Sequence, residues 1–103
     1  NKYVTGGTPF DVATVNFVQK ANKGYEMDIT TEKEVNAEVM TNEDCLLKGG
    51  DKAYNSIFSG EGKTINFIND ETFEEDKDMC VFIKALENDE ETVVNVKMDE
   101  LTF

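Results

Sequence analysis

Hydrophobic and polar residues alternate along most of this chain with a period of two. That spacing places successive side chains on opposite faces of a β-strand, so it constrains the fold more than any other feature of the sequence. The period predicts roughly seven or eight short strands, with a turn about every 8–12 residues. Clear examples are residues 25–29, 35–39, 65–67, 79–86 and 94–98.

Residues that favour tight reversals separate the alternating segments, because glycine and asparagine tolerate the positive φ angles that many turns need. The predicted turns are at Gly6-Gly7, Asn22-Lys23-Gly24, Gly49-Gly50-Asp51, Ser59-Gly60-Glu61-Gly62 and Asn88-Asp89. One segment has a competing interpretation. Thr31-Glu32-Lys33-Glu34 has the pattern of a helix capping box, and Val35 and Val39 have the spacing of a helical pair. A short helix over residues 32–40 is the alternative to a strand there.

The length and the turn pattern predict a single domain, residues 1–103. A chain of this size has room for one hydrophobic core, and short strands with frequent turns are typical of antiparallel sheets packed face to face. The predicted fold is therefore all-β, an antiparallel two-sheet jelly-roll or β-sandwich. No apolar run approaches the roughly 20 residues that span a bilayer. The start at Asn1, without a signal-peptide pattern, favours a mature fragment or an excised module.

The chain is strongly acidic, with 22 Asp and Glu against 10 Lys and a net charge of −12. Such a surface repels nucleic acid and anionic membranes, so neither is an expected partner. Residues 51–103 carry −9 of this charge and residues 1–50 carry −3. We interpret the charge as a source of solubility. The alternative is a mimic of DNA phosphates, which would require the acids to spread over one face.

The sequence predicts a protein that is not an enzyme. It contains no histidine, so Ser56 and Ser59 have no imidazole to serve as a general base. Carboxylates are grouped at residues 70–71, 74–76 and 89–91, in predicted loops where they are ordinarily solvated rather than paired across a cleft.

The two cysteines, Cys45 and Cys80, are too few for a structural zinc site. In an oxidising compartment they could form one disulfide, which would stabilise the fold by about 4 kcal/mol in the chain-entropy model. Two buried free thiols are the alternative, and the sequence leaves both open.

A sheet protein without catalytic groups ordinarily works by binding, through the sheet face that does not pack the core. Amides and carboxylates can hydrogen-bond sugar hydroxyls, and an aromatic ring can stack on the apolar face of a pyranose. Side chains with the parity opposite to the apolar set are therefore candidates for contact with a sugar. The candidate ligand face consists of Phe10, Asn16, Asn36, Glu38, Phe82 and Lys84.

Five segments, in order, carry a resemblance to a known family. They are residues 6–12 (GGTPFDV), 23–27 (KGYEM), 62–67 (GKTINF), 76–82 (DKDMCVF) and 94–103 (VNVKMDELTF). In order and spacing the chain resembles the jelly-roll carbohydrate-binding modules that are appended to xylanases and β-glucanases. Phe10 stands where those modules have a tryptophan.

The resemblance implies a non-catalytic module that binds a polysaccharide or oligosaccharide. It also implies an extracellular or cell-surface location, as part of a larger enzyme or scaffold protein. Modules of this kind often hold a structural Ca²⁺ through a carboxylate of the last strand, and Asp99 matches that position.

Two further functions remain as alternatives. Residues 51–56 (DKAYNS) and 88–93 (NDEETV) are similar to the calcium clamps of microbial βγ-crystallins, in which paired Greek keys share ions through oxygen ligands. A protein-interaction or surface-assembly β-sandwich is the other alternative. It predicts an exposed hydrophobic patch or an unpaired strand edge.

Overall fold

A computed structural model describes residues 2–7, 12–87 and 91–102. The described residues form six strands and one helix. In chain order these are β1 (Lys2–Gly6), β2 (Val12–Gln19), β3 (Gly24–Thr41), α1 (Asn42–Gly49), β4 (Phe58–Asn69), β5 (Lys77–Ala85) and β6 (Glu91–Leu101).

The 18-residue strand β3 organises the sheet, because it is hydrogen-bonded along both edges. One edge pairs with β4 over nearly its whole length. The other edge pairs first with β6 and then, past residue 34, with β5. β1 pairs with β6, and β2 pairs with β5. The sheet therefore has two arms: β1, β6 and the first part of β3 form one, and β2, β5 and the last part of β3 form the other. The strand order is β1-β6-β3-β5-β2, with β4 on the other edge of β3, and all pairs are antiparallel.

β3 changes register between Thr30 and Val35, where its partner changes from β6 to β5. Across from this interruption, Gly62 of β4 has a φ of 134°, a conformation that side chains rarely allow. The turn predicted at residues 59–62 is therefore wrong, since these residues lie within β4. They form an irregular point in a strand rather than its end.

The alternative helix at residues 32–40 does not form, because this segment continues β3. Val35, Ala37 and Val39 are fully buried while Asn36 and Glu38 are only partly buried, which is the strand period. A spacing of i, i+4 satisfies both a helix and a strand, and burial of all three alternate residues decides for the strand.

Other turn predictions are confirmed. Gly6, Gly7, Asn22 and Asp51 all have positive φ angles between strands or after the helix. The turn at Asn88-Asp89 lies outside the described residues.

The two arms enclose a single main core. The hydroxyl of Thr5 in β1 donates to the carbonyl of Ile83 in β5 at 3.3 Å, which links the β1 end of the sheet to the opposite arm. The prediction of an antiparallel all-β fold is confirmed, and the sheet is nearly closed on itself. The largest fully buried side chains include Met27, Ile29, Val35, Met79, Val81, Ile83 and Val94.

The helix α1 was not predicted by the alternation pattern. Its N-cap is Thr41, whose hydroxyl accepts from the backbone N–H of Asp44 at 3.3 Å and donates to the Asp44 carboxylate at 2.9 Å. A disulfide joins Cys45 of α1 to Cys80 of β5, which decides between the two alternatives for the cysteines. None of the described residues belongs to a helix long and apolar enough to cross a membrane.

Gly62→Ala should lower the free energy of unfolding by about 1–3 kcal/mol, because alanine is strained at this φ angle. Gly49→Ala is the matched control, since a Cβ at Gly49 meets no atom within 4 Å and its φ is not in the positive range. Urea unfolding checks both variants. Equal stability of the two would show that Gly62 is not needed at this position.

Replacing both cysteines by alanine should lower the free energy of unfolding by about 2–4 kcal/mol, because the link closes a loop with a sequence separation of 35 residues. Reductant should destabilise the wild type by a similar amount and leave the double variant unchanged. A wild type whose urea midpoint does not respond to reductant would contradict this assignment.

Candidate functional site

The strand register brings five of the six predicted ligand residues to the outer side of one arm of the sheet. Asn36 is paired with Lys84, Glu38 with Phe82, and Asn16 lies opposite Cys80. The residues between them point into the core, so these side chains point away from it. The sixth residue, Phe10, lies outside the described residues.

The helix α1 lies across this outer side and is attached to it by the disulfide. Cys45, Cys80 and Met40 form a second, smaller apolar cluster, and Tyr54 and Phe82 pack against it. Lys48 follows Cys45 by three residues on the helix, and Phe82 follows Cys80 by two residues on the strand. Each pair shares one face of its element, so the disulfide places the lysine next to the phenylalanine ring.

Lys48 is the centre of a polar network that covers part of the predicted ligand face. Its ammonium donates to the Tyr54 hydroxyl at 2.7 Å and to the Glu38 carboxylate at 3.4 Å. The Tyr54 hydroxyl also donates to that carboxylate, at 3.1 Å. The side chains of Lys48 and Glu38 are only 21% and 15% exposed. Glu38 therefore already has two protein partners.

Aromatic rings also surround the Lys48 ammonium, which lies 4.5 Å from the centroid of Tyr54 and 4.8 Å from that of Phe82. Partial burial acts to lower the pKa of Lys48. The hydrogen bond with Tyr54 and the charge of Glu38 outweigh burial, so the pKa lies above its ordinary value of 10.5. Lys48 is therefore charged at neutral pH.

Beside this network lies a shallow groove of about 260 Å³, which contains three of the predicted ligand residues. One side-chain N–H of Asn36 donates to Glu61 on the neighbouring strand at 3.2 Å. The carbonyl oxygen of this amide remains available to accept from a ligand hydroxyl. The groove is lined by Asn36, Lys48, Phe82, Lys84, Ala85 and Leu86.

The other predicted residues lie apart from the groove. Asn16 borders a separate depression with Asn42 and Asp78. Asp99, the predicted calcium ligand, is exposed on β6 opposite Glu26. Within residues 2–7, 12–87 and 91–102 no three Asp, Glu, His or Cys side chains are grouped to hold a metal ion. Calcium also takes backbone carbonyl and amide oxygens as ligands, so the calcium role of Asp99 stays a prediction.

The predicted ligand face did not include Lys48 or Leu86. Lys48 lies on the helix, whereas the parity rule selects residues on strands. Leu86 has the parity of Phe82 and Lys84 in the predicted strand 79–86 but was not chosen as a ligand residue. A signal for the helix was present. Thr41-Asn42-Glu43-Asp44 is a capping sequence, and Gly49-Gly50 follows it at the length of two helical turns. With that helix and a disulfide assumed, the three-residue step from Cys45 to Lys48 would have indicated the contact with Phe82.

No protein-family model, no curated protein and no solved structure matches this chain. The residues and geometry of the groove therefore provide the basis for a functional proposal.

A double-mutant cycle with Lys48→Met and Glu38→Gln should give a coupling energy of about 1 kcal/mol at pH 7. The folded pKa of Lys48 is raised, so this stabilisation is fully present below the unfolded pKa and is lost as the pH rises through the folded value. The cycle should therefore be repeated across the range above 10.5. A coupling of zero at pH 7, or one that stays constant at high pH, would contradict the network.

Proposed function

We propose that this chain is a non-catalytic carbohydrate-binding module, with the two arms of its bent sheet as the layers of a jelly-roll sandwich. The observation that carries the proposal is the groove, in which an amide, a partly buried aromatic ring and a lysine lie on one outward sheet face. Those three residues were predicted from the sequence by parity, by side-chain chemistry and by the family resemblance. Their meeting in one depression supports a shared role.

The chemistry of the groove suits one residue of a sugar chain. The Asn36 carbonyl accepts from a hydroxyl, and the exposed Lys84 donates to a ring or hydroxyl oxygen. Phe82 and Leu86 supply apolar surface for the C–H groups of the ring. The volume of about 260 Å³ is slightly below the range of roughly 300–1,000 Å³ typical of pockets that enclose a whole small molecule. An open groove of this size accommodates part of a polymer that continues along the surface.

Glu38 has a positioning role in this proposal. Glu38 holds the Lys48 ammonium beside Phe82, so it shapes the groove without contacting the sugar. Asn16 and Phe10 are assigned to neighbouring residues of the polysaccharide, on the basis of the sequence pattern. A structural calcium held by Asp99 stays a prediction from the sequence resemblance, and the binding proposal does not depend on it.

The proposed location is extracellular or at the cell surface, within a larger enzyme or scaffold protein. The disulfide supports this location, since structural disulfides persist chiefly in oxidising compartments.

A surface-assembly function is a second candidate, favoured by the edge of β4. Among the described strands, β4 pairs only with β3, and Ile68 near its end is 56% exposed. An unpaired edge of this kind can add a strand from another protein. Sedimentation over a range of concentrations tests this candidate, which requires an assembly that Ile68→Lys weakens.

Affinity electrophoresis in gels containing xylan, β-glucan or mannan tests the carbohydrate proposal. At least one polymer should retard the protein. Phe82→Leu, which removes the ring but keeps apolar volume, should weaken that binding about 3- to 10-fold. Asn36→Ala should weaken it as well, whereas Asn95→Ala, an exposed asparagine on β6, should not. If the protein is folded and neither xylan, β-glucan or mannan nor a polysaccharide containing uronic acids retards it, the carbohydrate proposal is wrong.

A further inference from the structure

The groove lining differs in charge from the molecule as a whole. The whole chain carries −12, yet the groove lining contains two lysines and no carboxylate. Solubility explains an acidic surface, but it does not explain two lysines in a lining that contains no carboxylate. Because Lys48 is paired with Glu38, Lys84 is the lysine of the lining that has no carboxylate partner among the described residues, and its charge favours ligands that carry a negative one.

Both ammonium groups retain the capacity to bind an anion. Lys84 is exposed and forms no salt bridge with any carboxylate of the described residues. Lys48 uses two of its three donors, one for Tyr54 and one for Glu38. Its third donor has no protein acceptor among the described residues. The two lysines therefore both provide donors to the groove that contains the Phe82 ring.

We propose that the sugar residue held in this groove bears a carboxylate, so that the ligand is a polysaccharide containing uronic acids. This inference rests on the proposed carbohydrate-binding function. The carboxylate accepts from Lys84 and Lys48, a hydroxyl of the same sugar donates to the Asn36 carbonyl, and the apolar side of the ring lies on Phe82 and Leu86. Charge-assisted hydrogen bonds of this kind are roughly twice as strong as neutral ones.

The charge of the remaining surface limits the length of acidic chain that binds well. Carboxylates of the ligand that extend beyond the groove lie near a protein surface with a net negative charge. That surface repels them over about 10 Å at 0.1 M salt. Short uronides should therefore bind as well as long ones. Uronic acids that are spaced along an otherwise neutral polymer should also bind well.

The test compares a tetrameric oligogalacturonide with its fully methyl-esterified form by calorimetry at pH 7. The two differ in charge and share the sugar framework. The acid should bind about tenfold more tightly than the ester, and Lys84→Met should remove most of that difference. Lys97→Met is the matched control, because Lys97 is an exposed lysine on β6, away from the groove, and this variant should keep the preference.

The remaining outcomes separate the two proposals. Equal binding of acid and ester would overturn the uronic-acid inference while leaving a carbohydrate-binding function in place. A preference for the acid that Lys84→Met leaves unchanged would overturn the assignment to this groove. If neither form binds, and xylo- and gluco-oligosaccharides also fail to bind to the folded protein, both proposals are wrong.

Discussion

The pairing of β3 along both of its edges is the constraint on which the rest of the structure depends. β3 contributes to both arms of the sheet, because the partner on its edge away from β4 changes from β6 to β5 at the register break. A register break of this kind bends a strand, and β4 has a matching irregularity at Gly62, opposite the break. Once β3 is bent in this way, inward residues from both arms meet in one core.

The candidate site follows from the second arm and from one covalent link. β3 and β5 present Asn36, Phe82 and Lys84 outward as cross-strand neighbours, which a flat, solvated sheet face would also do. The disulfide changes that face, because it attaches α1 and places Lys48 beside the ring. The result is a groove beside α1 that is lined by two lysines and no carboxylate, in a molecule that is strongly negative.

The sequence allowed the strands and their inward residues to be predicted better than the way the strands pair. Alternation is local, so it indicated correctly that Val35, Val39, Val81 and Ile83 face the core. The partners of β3 and its register break depend on contacts between distant residues, which alternation does not encode. The glycines near residue 60 suggested a turn because a strand bulge and a turn need the same backbone freedom.

The site was predictable to the extent that it lies on strands. Parity identified Asn36, Phe82 and Lys84, but it also selected Asn16, which borders a different depression, and Glu38, which is bonded to Lys48. α1 was overlooked because Cys45 is its only buried residue, so the helix has almost no apolar stripe. Without the helix, the position of Lys48 could not be inferred.

The central claim is that ligands bind on the outer face beside α1. Its most direct test is an NMR titration of the backbone amides with xylo-, gluco- and galacturono-oligosaccharides. The account predicts that the shifts concentrate at residues 36, 48, 82 and 84–86, and that the outer edge of β4 does not respond. Shifts centred on β4 or on the β1–β6 arm, or no shifts with any of the sugars, would contradict it.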